Sequence, residues 1–230
     1  MTYVAANLYG RMDKYEKLIK KINLKESDTL YILGNIVDHG DDSVALVNEL
    51  SAQYNVFTVL GEHDYKAYLL LSEFDRIIRE GGAPSASFSR DMIAWAQDGG
   101  QATLEAFKSA DADSKEGFLD YLSDLPVFEE VTLKNGKEFV LTCRGIADFD
   151  KKTDLYDYEL DAFMNGYLDI DAEYYGDKTM VVGYLDYEHT PAGRAGKINA
   201  KGTNIALACD MSESDEVVCI CLETNDEYYV

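Results

Sequence analysis

Three stretches share one design: TYVAANLYG (residues 2–10), TLYILGNIVDHG (residues 29–40) and VFTVLGEHD (residues 56–64) each run from an apolar segment into a polar turn. The apolar segments, Thr2 to Ala6, Thr29 to Leu33 and Val56 to Leu60, are too short for helices and read as buried strands. After the first, Met12, Tyr15, Leu18, Ile19 and Ile22 recur at helical spacing, while Lys14, Lys17, Lys20 and Lys21 take the opposite face. Ser43 to Gln53 offers a second helix between the next two strands. Strands alternating with helices predict βαβ units and a parallel sheet.

Beyond this core the pattern changes twice. From Asp64 to about Leu125 it predicts helix after helix, with Ala67, Leu70, Leu71 and Phe74 on one apolar stripe, Phe118, Tyr121 and Leu122 on another, and a loop at Gly81 to Pro84. After Pro126 it turns to β: a hairpin of Val127 to Leu133 and Glu138 to Cys143 around Lys134, Asn135 and Gly136, then a strand at Thr179 to Leu185. The tail segments Ile198 to Ala200, Asn204 to Ala208, Val217 to Leu222 and Glu227 to Val230 read as an antiparallel meander. The expected organisation is a single domain over residues 1–230 with a helical insert at about 64–125.

Composition narrows the function classes. Hydrophobic residues at 47% supply a real core and exclude disorder of the whole chain. With 21 Lys and Arg against 43 Asp and Glu, the net charge of -22 repels phosphate backbones and anionic lipid. No nucleic-acid or membrane partner is expected, which leaves a protein or small-molecule ligand. No apolar run approaches the roughly 20 residues of a membrane helix, and no signal-peptide layout opens the chain, so a cytoplasmic location is expected. Cys143, Cys209, Cys219 and Cys221 form no CxxC pair and read as reduced core cysteines.

The three turns hold the chemistry. They are Asn7-Leu8-Tyr9-Gly10, then Gly34-Asn35-Ile36-Val37-Asp38-His39-Gly40, then Gly61-Glu62-His63-Asp64. At the carboxyl ends of parallel strands they should converge on one crevice, the usual ligand position of open α/β sheets. Two of the three histidines in the chain, His39 and His63, lie there. A plainer reading treats the Gly and polar residues as turn formers only.

The turn spacing, together with Asp98-Gly99-Gly100-Gln101-Ala102-Thr103-Leu104 and His189-Thr190-Pro191, resembles the calcineurin-like metallophosphoesterases, in particular the bacterial serine/threonine protein phosphatases. That resemblance implies a four-layer αββα sandwich with two metal ions, usually manganese, iron or zinc, activating a water that attacks phosphorus. The family's turns read D-x-H-G, G-D-x-V-D-R-G, G-N-H-E, H-x-G and G-H. Here Asn7 and Tyr9 replace the first pair of ligands, Asn35 replaces the bridging Asp, and Glu62 stands for the third-turn Asn. Cys143 takes the H-x-G position, ahead of Arg144 and Gly145, and Tyr184 follows Gly183 unless a four-residue insertion displaces the ligand to His189.

Two amides in place of two carboxylates remove two charges from a site that must neutralise two cations, and a phenol is no ligand at neutral pH. No metal cofactor is therefore expected. Asp38 and His63 match the family's carboxylate-supported general acid, and as a plain structural pair they would tie two loops together; either way they should touch. His39 replaces the phosphate-clamping Arg, and Arg144 is a weak second phosphate candidate. Elsewhere, Tyr156, Tyr158, Tyr167, Tyr174 and Tyr175 read as a core edge with wet hydroxyls, or as a partner surface. Asp210 to Glu216 reads as a solvated acidic turn, and Lys66, Arg76, Arg79 and Arg90 balance acidic neighbours. The expected function is that of a degenerate phosphatase acting in binding or regulation. The alternative is a phosphoester hydrolase with an unusual Mn, Fe or Zn site built from Glu62, Cys143, His189, Asn7 and Asn35.

Overall fold

The computed structural model describes residues 1–184, 196–207 and 216–230. It begins with three parallel strands, β1 (Thr2–Ala6), β2 (Thr29–Leu33) and β3 (Val56–Val59), joined through α1 (Met12–Ile22) and α2 (Ser43–Ala52). Helices follow: α3 (Glu62–Glu80), α4 (Ala86–Trp95), a single π turn at Ala96–Gly100, α5 (Gln101–Ser109) and α6 (Ala112–Ser123). The hairpin β4 (Phe128–Thr132) and β5 (Glu138–Thr142) comes next, then the short α7 (Leu160–Met164) and β6 (Lys178–Val182).

The four tail strands are β7 (Asn199–Lys201), β8 (Asn204–Ala206), β9 (Val218–Cys221) and β10 (Glu227–Tyr229). They do not form the single antiparallel meander expected from sequence. β7 and β8 pair with each other and add to the second sheet, where β8 runs parallel to β6, giving the order β4-β5-β6-β8-β7. β9 and β10 pair with each other and complete the first sheet, where β9 lies antiparallel to β1, giving β10-β9-β1-β2-β3.

Period-two alternation builds the layers. Val4 and Ala6 of β1 and Val218 and Ile220 of β9 face the second sheet, meeting Leu141 of β5 and Val181 of β6 in a fully apolar seam. The intervening Tyr3, Ala5, Cys219 and Cys221 face α1, α2, α3, α5 and α6 in a second core. On the far side of the second sheet, Val140, Met180 and Val182 meet Phe128, Leu155, Phe163 and Met164 in a third. Helices, sheet, sheet and a layer of loops with α7 thus give the expected α/β sandwich.

Of the five tyrosines singled out, Tyr158, Tyr174 and Tyr175 pack around Phe149 as a core edge. Tyr156 and Tyr167 face outward. Lys66, Arg76 and Arg79 pair with Asp98, Glu73 and Asp75 respectively. Cys209 and Asp210 to Asp215 lie outside the described residues, and Glu216 pairs with Lys197.

Candidate functional site

The turns after β1, β2 and β3 converge at one end of the first sheet. Their backbone is wound tightly: Asn7, Tyr9, Asn35, Asp38 and His39 all hold left-handed conformations, with φ between +48° and +70°. Asn and Asp tolerate this region, but Tyr and His pay about 1–2 kcal/mol there, so other contacts must hold the turns. Tyr9 N–H donates to the Asn35 carbonyl and Gly10 N–H to that of Ile36, both at 2.8 Å, locking the first turn onto the second.

Asp64 does the rest. Its buried carboxylate accepts the backbone N–H groups of Asn35 and Ile36 at 2.8 Å, of Gly61 at 2.9 Å and of Val37 at 3.3 Å. The successive N–H groups of the second turn form a concavity of the kind that binds anions, and here the anion is the protein's own side chain. Burial lifts the Asp64 pKa to about 6, against the pull of the Gly61, Ile36 and Asn35 amides and of His63. The sequence reading passed over Asp64. Its position in the first turn of α3, three residues after Gly61, was the available signal, since a carboxylate there reaches back to the residue that starts the helix.

Asp38 and His63 touch, with Asp38 Oδ2 2.8 Å from His63 Nδ1. The carboxylate is fully buried and its remaining capacity is met by Trp95 Nε1–H at 2.8 Å and the Thr103 hydroxyl at 2.8 Å. Thr103 in turn accepts the Asp38 N–H at 2.9 Å and bonds Ser43 Oγ at 2.9 Å. Because the Thr103 proton goes to Asp38, Ser43 must be the donor to Thr103. Burial opposes charge on His63, but its hydrogen bond to Asp38 and the charge of that carboxylate outweigh it and hold the pKa above the ordinary histidine value. Trp95 and Ser43 were not among the expected site residues; that Trp95 is the chain's one tryptophan was the only hint.

The positions matched to metal ligands are joined to one another. Asn7 Nδ2 donates to the Gly183 carbonyl at 3.3 Å, and Asn35 Oδ1 accepts the His63 N–H at 3.3 Å. Those backbone partners fix how both amides are turned, because a carbonyl meets only a donor and an N–H only an acceptor. The Asn35 NH2 group therefore faces Asn7 Oδ1 at 3.2 Å and Tyr9 Oη at 3.3 Å. Tyr9 is buried, its ring edge-on to His39 and His63 at 5.0 Å and 5.5 Å.

Glu62 turns outward to Arg144, with Oε2 2.8 Å from Nη1. Arg144 also donates to the Gly166 carbonyl and lies over the half-buried Tyr184 ring, 4.9 Å from its centre. Cys143 is buried against the second turn, and burial, with the charge of Asp64, pushes its thiol well above the usual range. The His39 side chain is largely exposed; desolvation of its ring and the nearby His63 lower its pKa, which disfavours the charged form that an arginine clamp would supply. His189 lies outside the described residues.

A dinuclear centre does not fit this donor set. Among the described residues no group of three His, Cys, Asp or Glu side chains is placed to hold a metal ion. Asn35 presents its NH2 group, not an oxygen, to Asn7 Oδ1 and Tyr9 Oη, and the buried Asp64 carboxylate is spent on backbone donors.

Two facing sheets flanked by helices, with a loop crevice at the ends of the parallel strands and an Asp–His pair inside it, define the metallophosphoesterase architecture. The family profile for calcineurin-like phosphoesterases matches residues 4–215, and the chain belongs to that family, whose members are normally metal-dependent. A symmetrical bis(5'-nucleosyl)-tetraphosphatase of Delftia acidovorans is 25% identical over 146 residues, covering 63% of this chain. The match spans 44% of that protein's own length. Among solved structures, a protein described as a candidate diadenosine tetraphosphatase superposes with a TM-score of 0.65 at 18% identity, over 100% of this chain and 92% of that one. A metallophosphoesterase from Sphaerobacter thermophilus does so with a TM-score of 0.56 at 12% identity, over 99% and 86%. These two likenesses show the shared fold.

Proposed function

We propose that this chain is a pseudoenzyme of the calcineurin-like phosphoesterase family, a binding or regulatory protein that keeps the crevice and not the dinuclear chemistry. One observation carries the reading: Asn7, Tyr9 and Asn35, at the ligand positions, satisfy each other's hydrogen bonds as neutral groups. A hydrolase of this class needs a cation to make a nucleophile of water and to draw charge from the phosphoryl oxygens. Asp38 and His63 can orient and hold a proton at His63, but alone they supply neither.

Charge bears on the ligand as well. The named relatives suggest a dinucleoside tetraphosphate, and the resemblance in the turns suggests a phosphorylated protein. Both are polyanions, whereas the chain carries -22 and Arg144, beside the crevice, is already paired with Glu62. A protein segment or small molecule without a phosphate cluster fits this electrostatic setting better. No described helix is long and apolar enough to cross a membrane, and the charge argues against nucleic acid.

The intact Asp38–His63 pair favours a second reading, a hydrolase with a single metal ion. Hydrolysis of diadenosine tetraphosphate and of an aryl phosphate, each with manganese, zinc or iron, separates the two. The pseudoenzyme reading expects no turnover above buffer. Metal-dependent turnover that disappears in His63→Ala would establish the hydrolase instead.

A further inference from the structure

We infer that the side-chain NH2 group of Asn35 is an internal substitute for a cation: it bonds the residues at the positions matched to metal ligands and holds the strand-end turns together in an ion's stead. The inference rests on the pseudoenzyme reading and adds to it what closes the site. The group's two hydrogens carry partial positive charge and address two oxygens, Asn7 Oδ1 at 3.2 Å and Tyr9 Oη at 3.3 Å. Through these contacts β1's turn is tied to β2's, and through Asn35 Oδ1 and the His63 N–H to β3's. A single neutral side chain thereby joins the three turns that metal coordination would otherwise join.

Rotation of the amide would set Nδ2 against the His63 N–H and its one oxygen against Asn7 Oδ1, so the orientation is not interchangeable. Packing reinforces it. A Cβ on Gly61 would stand 2.5 Å from Asn35 Oδ1, so the third turn closes on this amide at a distance only glycine permits. Asp64 is engaged by four backbone donors. It is not available to draw a cation in.

Thermal unfolding of the full chain tests this with Asn35→Gly and Asn35→Asp, in chelator and in Mn2+. Residue 35 has φ +52°, a conformation that glycine adopts without strain. Were Asn35 merely a turn former, Asn35→Gly would melt at or above the wild-type temperature. The inference expects it to melt lower by about 4 °C or more, because the buried Asn7 and Tyr9 oxygens and the half-buried His63 N–H lose their hydrogen bonds. Asn35→Asp, nearly isosteric, puts a carboxylate oxygen against Asn7 Oδ1; it should melt lower than the wild type in chelator and in Mn2+ alike. The wild type should melt at one temperature in both conditions.

An unchanged Asn35→Gly, an Asn35→Asp that melts with the wild type, or a wild type stabilised by Mn2+ would each overturn the inference. Failure here is distinct from failure of the pseudoenzyme reading, which turnover decides. A chain that hydrolyses nothing could still have its turns held by other contacts.

Discussion

Replacing Thr103 by valine probes the buried cage around Asp38, because the exchange keeps the shape and removes one hydroxyl. That hydroxyl donates to Asp38 Oδ1 at 2.8 Å, accepts the Asp38 N–H at 2.9 Å and meets Ser43 Oγ at 2.9 Å. Thr103, Asp38 and Ser43 are each fully buried, so water cannot replace what is lost. Each buried polar group left without a partner costs about 1–3 kcal/mol. Three such groups, with the Ser43 hydroxyl able to turn elsewhere, give an expected loss of about 3–5 kcal/mol, or a fall in Tm of about 6–20 °C for a chain of this size. Urea unfolding followed by the emission of Trp95 measures it, since this sole tryptophan donates to the same carboxylate. The Asp38 carboxylate, short of one donor, should also hold the His63 proton more tightly, visible as an upward shift in the histidine titration by NMR. Stability within about 1 kcal/mol of wild type would refute the cage as a source of stability.

Other outcomes follow from the same cage and its neighbours. The folded pKa of His63 stands above the ordinary value near 6.5. Its contribution to stability is therefore complete below about pH 6.5 and fades as pH rises through the folded value. The stability gap between wild type and His63→Gln, measured in urea, should accordingly be wider at about pH 6 than at about pH 9; an unchanged gap would mean that the pair carries no proton-linked energy. Gly100→Ala places a Cβ 2.2 Å from the Trp95 ring, whose Nε1 is tied to Asp38. The expected result is a loss of about 1–3 kcal/mol with a red-shifted emission maximum, and an unshifted spectrum would count against the packing described.

Much of the fold could be read from local pattern because its first half is local. β1 and β2 are short apolar runs bounded by turns, α1 buries one periodic face, and the strands of the β4–β5 hairpin are adjacent in the chain, so run length and spacing were enough. The tail could not be read this way. Val218 and Cys219 show that β9 has two buried faces, but its partner is β1, more than two hundred residues earlier, and nothing in a local window distinguishes that pairing from a meander. The site divides along the same line. Asn7, Asn35, Asp38 and His63 were visible as residues, and the contact of Asp38 with His63 follows from neighbouring strand ends. The direction in which the amides point was not visible, because it is set by the Gly183 carbonyl and the His63 N–H, 176 and 28 residues away. Asp64 escaped notice for a related reason: its partners are backbone groups, which carry no residue identity.

The central claim is that residues at the ligand positions satisfy one another and leave no dinuclear centre. Metal content bears on it most directly: the purified chain, dialysed against manganese, zinc and iron and then freed of unbound ions, is analysed for each element. The account predicts substoichiometric metal in every case, unchanged by Asn7→Ala. One or more tightly held ions per chain, lost on exchange of Asn7 or Asn35, would contradict it.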